Sequence, residues 1–362
     1  MNPHKPAIPR NLLVTRFSAL GDVAMTIPVV YSVCASNPQM RVVMATKSFP
    51  ATMFLNVPEN LEVVALDLRE WKGVGGMWRL AAHLKKNYDI DAYADLHDVL
   101  RTKLLRLFLR LRGVKVRKLH KGRSGKRALT RSRNKVMLPL TTSRARYREV
   151  FWRMGVPRED LFNNLFTASH PVDRSLYAAA AAPRLDRGAD GERWIAIAPF
   201  AAHKGKIYPL DLMRQVVDTL ASRPGYRLFL FGAGEKENEV LAEWCSTHPA
   251  NTVNMAALSL GLPAELSLLY DCDGMISMDS ANMHLASLVG LRVVSVWGAT
   301  HPYCGFLGWR QKKGDAVQLD MVCRPCSVFG NKPCRRGDWH CLRGIQPSYI
   351  VAKLDAMLAR PK

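Results

Sequence analysis

DGMISMDSANMHLASLVGLRVVSVWGATHP, residues 273–302, is the stretch whose reading decides the fold. A short apolar run (Gly274 to Met278) leads into the pair Asp279-Ser280. A segment with apolar residues at Met283, Leu285, Ala286, Leu288 and Val289 then ends at Gly290, and a β-branched run (Val293 to Val296) precedes a Gly-Ala-Thr turn. The predicted order is strand, turn, helix, strand, turn, with Asp279 and Ser280 as N-cap types and Gly290 as the C-terminal stop. A helix that begins at the carboxyl end of a strand is where an open α/β sheet binds its ligand, because free N–H groups and the positive end of the helix attract phosphate. His284, in the first turns of that helix, adds a donor near the same anion. The other reading stays open on this stretch alone: Asp279 and Ser280 only cap the helix, and His284 is a satisfied surface or core histidine.

Working outward, the same alternation recurs. Asn11 to Phe17 is a β-leaning run followed by Ser18-Ala19-Leu20-Gly21-Asp22 and then by helical spacing, with Pro28 against it. Strands are predicted at Arg41 to Thr46, Leu61 to Leu66 and Asp91 to Leu96, and helices at Trp78 to Tyr88 and Leu100 to Leu111. After an alanine-rich, loop-like stretch the pattern restarts with strands at Trp194 to Ala198 and Arg227 to Phe231, each followed by a helix. Lys204 and Lys206 precede one of these helices, and Pro209 opens it. Gly232-Ala233-Gly234-Glu235 is a fragment of a dinucleotide fingerprint that lacks the third glycine. Alternating β and α predicts parallel, doubly wound sheets. At 362 residues the chain is too long for one ordinary core. The expected division is residues 1–180, an acceptor-binding domain, and residues 181–362, a nucleotide-binding domain that carries a cysteine-rich loop and a closing helix from Pro347 to Leu358.

Composition narrows the partners. Hydrophobic residues make up 48% and charged residues 23%, which fits a globular chain, and no apolar run is long enough to span a membrane. The start of the chain has no continuous apolar segment with a cleavage site, so no signal peptide is expected and the location expected is cytoplasmic. The net charge is +22, and between Arg101 and Arg148 stand eighteen Lys/Arg with no Asp or Glu. Such a field suits a polyanion. Only Phe108 and Tyr147 are aromatic there, which ranks a membrane surface or phosphorylated glycolipid ahead of nucleic acid. Asp22, in the first turn, either caps its helix or serves as a general base toward a hydroxyl.

These motifs together resemble glycosyltransferase family 9, whose best-known members are the lipopolysaccharide heptosyltransferases. RFSALGDVAMTIPV is similar to that family's N-terminal Ser-x-x-Gly-Asp signature. KGKIYP is similar to its Lys-x-Trp-Pro element, with Tyr208 for Trp. DSANMHLASLVG and VVSVWGATHP are similar to its Asp-Ser/Thr-Gly-x-x-His-Leu segment and the later Gly-Pro-Thr turn, with Ala281-Asn282 and Ala299 as departures. The resemblance implies α/β GT-B architecture, two Rossmann-like domains facing across a cleft, and an inverting transfer that needs no catalytic metal and no cofactor. It implies Asp22 as the base and Lys206 on the donor diphosphate. Glu235 would lie near the ribose, and Asp279, Ser280, Ala281, Asn282, His284 and Thr300 around the donor's sugar and phosphate. The implied partners are a nucleotide-sugar, with ADP-heptose first, and a phosphorylated lipopolysaccharide-core acceptor at the inner face of the cytoplasmic membrane. His97, Arg101, Lys103, Lys121 and Arg123 are the acceptor-side candidates. Transfer of another activated sugar to a cell-surface glycan, or polyanion binding without catalysis, are the alternatives. Cys323, Cys326, Cys334 and Cys341 fall in one segment whose first pair has C-x2-C spacing, so a structural zinc is weighed there against free thiols.

Overall fold

A computed structural model of the chain describes residues 7–157, 159–181 and 191–361. They form two compact units. Residues 1–122 and 141–165 belong to the first, and residues 123–140 join 166–362 in the second. The boundary expected near residue 180 adjoins residues 182–190, which lie outside the described residues.

In the first unit five strands form one parallel sheet: β1 (Asn11–Thr15), β2 (Arg41–Lys47), β3 (Leu61–Leu66), β4 (Ala92–Asp95) and β5 (Lys115–Lys118), in the order β3-β2-β1-β4-β5. Strands buried on both faces read as continuous apolar runs, and Leu12, Leu13 and Val14 of β1 have no exposed surface. Leu13 faces Val43 and Tyr93 across the sheet and packs with Leu80, Leu84, Leu105 and Leu109 from two covering helices. The chain winds outward from β1 in both directions, so the carboxyl ends of β1 and β4 flank the switch point where such sheets bind ligands.

The second unit repeats the plan with β6 (Arg193–Ala198), β7 (Tyr226–Leu230), β8 (Thr252–Asn254), β9 (Gly274–Met278), β10 (Val293–Val296) and β11 (Ala316–Val317), ordered β11-β10-β9-β6-β7-β8. Its switch point lies between β6 and β9. The helix Pro347–Leu358 covers β9 as the sequence predicts, with Met357 and Leu354 against Gly274.

Three strands escape the periodic reading. β5 is written KVRK, with Val116 as its only buried residue, and β8 and β11 are three and two residues long. Pro28 does not bend one helix but opens a second: Leu20–Ala24 stops and Ile27–Ser36 begins with Pro28 in its first turn, where no donor is lost.

One of the eighteen basic residues is spent inside. Asp95 ends β4 with no exposed surface, accepts from the backbone N–H groups of His97 (2.8 Å) and Asp98 (2.9 Å), and pairs with Arg106. Arg106 comes from the helix Leu100–Arg110 and also meets Asp98 at 2.9 Å. Arg106→Met leaves a buried carboxylate without its cation, and a loss of about 3–5 kcal/mol is expected by urea denaturation. Adding Asp95→Asn should recover much of that loss. Equal losses in the single and double variants would contradict the pairing.

Candidate active site

The switch point of the first unit gathers Arg16, Asp22 and His97. Asp22 lies in the first turn of the helix Leu20–Ala24 and accepts from the Ala19 N–H at 3.4 Å, so it does cap that helix. Its carboxylate also pairs with Arg16 and keeps about a quarter of its side-chain surface exposed (26%), so it can still reach a ligand. Arg16 leaves β1, is buried, and donates to the Leu96 carbonyl beyond β4 at 2.7 Å. One guanidinium therefore ties the two strand ends together and orients the carboxylate. His97 is buried beside it, with Nε2 3.4 Å from the Ser18 hydroxyl and its ring edge-on to Phe17. Burial, and then the charges of Arg16 and Lys121, lower its pKa to about 4, so the ring is neutral at pH 7.

Next to this turn opens a groove of about 680 Å³ whose walls include Ser18, Leu20, Lys47, Phe49, Leu68, Arg69, Lys72 and Arg101. Four cations line it beside the exposed Phe49, with one carboxylate, Asp67, paired to Arg69, so the groove presents a net positive charge. Of the acceptor-side candidates, Arg101 lines the groove and Lys121 stands within electrostatic reach of His97. Lys103 is exposed outside the groove, and Arg123 begins a helix (Arg123–Thr130) of the other unit.

In the second unit Lys206 follows β6 and Asp279 follows β9, and they meet across the switch point with Nζ 2.9 Å from Oδ2. Asp279 is 3% exposed and its charge is met by Lys206; the N-cap position of the following helix falls to Ser280. Ser280 is the N-cap residue of the helix Ala281–Leu288 but makes no side-chain cap; its hydroxyl lies 3.3 Å from that of Ser277. The first N–H groups of the helix are left for an anion, beside the half-buried Ala281 and Asn282. His284 is buried within this helix. Gly290, at φ +71°, ends it as the sequence predicts. Thr300 is fully buried; its hydroxyl meets no partner among the described residues, and its carbonyl accepts from Arg324 at 3.0 Å. Glu235 is exposed at the start of the helix Glu235–Thr247, where Glu237, not Glu235, accepts from the Ala233 N–H at 2.8 Å. Tyr208, the departure from Trp, is fully buried and donates to the Ile345 carbonyl at 2.7 Å.

The cysteine-rich loop forms part of this site. Gly205 donates to the Gly330 carbonyl (3.2 Å) and accepts from the Ala299 N–H (2.8 Å). Gly330 has φ +75°, and a Cβ there would lie 2.6 Å from the Lys206 stem, so the glycine makes room for the lysine. Arg324, between the first two cysteines, is buried, and among the described residues no carboxylate forms an ion pair with it. It donates instead to the carbonyls of Trp297 (3.0 Å), Gly298 (2.5 Å), Thr300 (3.0 Å) and Leu319, which fixes the turn after β10. Lys135 Nζ bonds the carbonyls of Cys323 and Pro325, and Lys126 lies 5.7 Å from the ring of Phe329, so residues 123–140 clamp the same loop. Cys323, Cys326, Cys334 and Cys341 line one cavity of about 550 Å³ and are free thiols, with burial raising Cys341 to about 11. Among the described residues no group of three or more His, Cys, Asp or Glu side chains is placed to hold a metal ion, and the hydrogen bonds of Arg324 and Lys135 hold the loop.

The sequence model of glycosyltransferase family 9 (heptosyltransferase) matches residues 77–334, more than half of the chain. The chain belongs to glycosyltransferase family 9. A lipooligosaccharide heptosyltransferase 2 from Campylobacter jejuni is 22% identical over 134 residues, 36% of this family 9 chain and 41% of that protein. The match thus spans about two fifths of the length of that curated relative. Two solved structures share the fold. A family 9 glycosyltransferase from Veillonella parvula superposes with a TM-score of 0.73 at 15% identity, over 97% of this chain and 98% of that one. An Escherichia coli ADP-heptose LPS heptosyltransferase II gives 0.68 at 18%, over 96% and 98%. The two Rossmann-like units are those of the GT-B class, as the motifs imply.

Several residues of the site carried no legible signal. Arg16 precedes Asp22 by six positions, and only the turn between them brings the charges together. Lys47 ends β2, whereas Arg69 and Lys72 follow β3. Arg324 is hidden by the cysteines that flank it.

Two histidines, the buried His97 and the half-buried His301, set a pH dependence. His97 and His301 are both lowered from 6.5 to about 4, chiefly by burial, so the unfolded chain binds more protons between those values. Stability is then lost as pH falls from about 6.5 to about 4. In His97→Gln/His301→Gln the fall of Tm over this interval should be shallower than in the wild type. Parallel curves would contradict the assignment.

Proposed function

We propose that the chain is an inverting, metal-independent glycosyltransferase that moves a sugar, heptose from ADP-heptose, onto a phosphorylated lipopolysaccharide-core acceptor, working at the cytoplasmic side of a membrane. The observation that carries the reading is the pairing of an anion-receptive switch point in one unit, Lys206 beside a helix N-terminus, with an accessible carboxylate at the switch point of the other, Asp22 beside a basic groove. Family membership and the named relatives support the substrate class.

In this reaction the acceptor hydroxyl gives its proton to Asp22 as its oxygen bonds to the anomeric carbon of the donor sugar. The bond from that carbon to the diphosphate oxygen breaks, and the electron pair leaves with the nucleoside diphosphate. Lys206 and the N–H groups of the helix Ala281–Leu288 meet the charge that develops there, the work a cation does in other transferases. Arg16 holds Asp22 in place, and the Asp22 carboxylate gains a second polar neighbour in the neutral ring of His97. Lys47, Lys72 and Arg101 receive the phosphates of the acceptor, while Phe49 and Leu68 cover its apolar part.

The test is release of nucleoside diphosphate from ADP-, UDP- and GDP-sugars by purified protein with a lipopolysaccharide-core acceptor. The wild type should turn over one donor only when acceptor is present. Asp22→Asn should bind that donor unchanged and lose about 10²–10⁴-fold in turnover, the range of a general base. Unchanged turnover in Asp22→Asn sinks the base assignment. No turnover of any donor, together with nonspecific DNA binding that weakens steeply with salt, would favour polyanion binding without catalysis.

A further inference from the structure

The helix Leu100–Arg110 is apolar on two sides. Its inner side sends Thr102, Leu105 and Leu109 into the core of the first unit. Its outer side carries Leu100, Leu107 and, just past the helix end, Leu111, beside the half-buried Leu104, which packs against that core. Spacings of seven and four residues lay the three exposed leucines in one stripe along a 3.6-residue helix. Leu100 is 75% exposed, Leu107 49% and Leu111 67%. The helix Gly73–Tyr88 adds exposed Val74 and Trp78, with the Trp78 ring edge-on to Phe108 at 5.2 Å and Arg112 stacked on it at 3.8 Å. A water-facing helix places charge at such positions, so a continuous apolar stripe there marks a docking surface.

The charges beside the stripe select its occupant. Lys103 and Arg110 follow one edge and Arg112 the other, in a segment that holds no Asp or Glu from residue 101 to 148. A second copy of this face would set these cations against themselves, a like-charge contact that opposes association. An anionic bilayer satisfies both features. The leucines and Trp78 enter the boundary between headgroups and acyl chains, where Trp is favoured, and the cations meet lipid phosphates. Arg101, one residue after Leu100, lines the basic groove, so the stripe begins at the groove wall.

We propose that the outer face of the helix Leu100–Arg110, together with Trp78, docks into an anionic lipid bilayer and holds the mouth of the basic groove at its surface. The inference deepens the glycolipid-acceptor reading and rests on it for the choice of a membrane as occupant. Its test does not involve transfer, so the two can fail separately.

The test is sedimentation of the full chain with vesicles of phosphatidylcholine alone and of phosphatidylcholine mixed with phosphatidylglycerol. The wild type should bind the mixed vesicles at least about ten-fold more tightly, and Leu100→Ser/Leu107→Ser/Leu111→Ser should lose at least about ten-fold on them. Thermal melting and nucleotide binding of this variant, whose three positions are exposed, should match the wild type. Lys103→Glu/Arg110→Glu should weaken binding to the mixed vesicles alone. Quenching of tryptophan fluorescence by brominated acyl chains should disappear in Trp78→Phe. A wild type that binds neither vesicle, or a triple-serine variant that sediments as the wild type does, overturns the proposal. So does a wild-type dimer that the triple-serine variant converts to monomer with vesicle binding intact, since the stripe would then serve a second copy.

Discussion

The ion pair between Lys206 and Asp279 is the constraint on which the second unit's switch point depends. A carboxylate at 3% exposure is tolerated only with its charge met, and removing one partner of such a pair typically costs about 3–5 kcal/mol. The pairing fixes more than a lysine. It joins the loop after β6 to the turn after β9 at the place where the sheet changes direction, so the cation and the start of the helix Ala281–Leu288 face the same space. Gly205, Gly330 and Arg324 complete this arrangement from below. Close backbone approach at the two glycines and four carbonyl bonds from one guanidinium leave the lysine a single course.

The first unit solves a similar problem with the signs exchanged. There the cation, Arg16, is the buried partner and the carboxylate, Asp22, is the one left accessible. In both units the more accessible residue of the pair is held by an opposite charge that is withdrawn from solvent, and in both the pair forms at the switch point of a parallel sheet. A reaction that takes a proton from one substrate and expels an anion from the other requires those two polarities. The division of labour in the proposed transferase therefore follows from where each sheet buries its ion.

Much of this was legible in the sequence. β3, β9, β10 and the helix Pro347–Leu358 occupy the residues the periodicity predicts, because fully buried parallel strands and capped helices write themselves as apolar runs between Gly, Pro and Asp. Asp22 and Lys206 could be singled out because each stands in the first segment that follows a central strand, β1 and β6. What was hidden depended on contacts distant in sequence. Asp279 reads as a cap, and only its burial against Lys206 shows that it acts on the lysine. β5 reads as solvated charge, since a strand with one buried valine has no period to detect. The basic segment reads as one uniform field. In the fold it separates into a buried counter-ion (Arg106), a groove wall (Arg101), an edge of the leucine stripe (Lys103, Arg110) and a clamp on the cysteine-rich loop (Lys126, Lys135).

The most direct measurement of the central claim is calorimetric titration of the nucleoside diphosphate that the wild type binds into wild type and Lys206→Met, both in chelator. The account predicts binding without a divalent cation and a loss of at least about ten-fold in Lys206→Met, one charge-assisted contact or more, with the folded state retained. Binding that requires a divalent cation, or equal affinity in the two proteins, would contradict it.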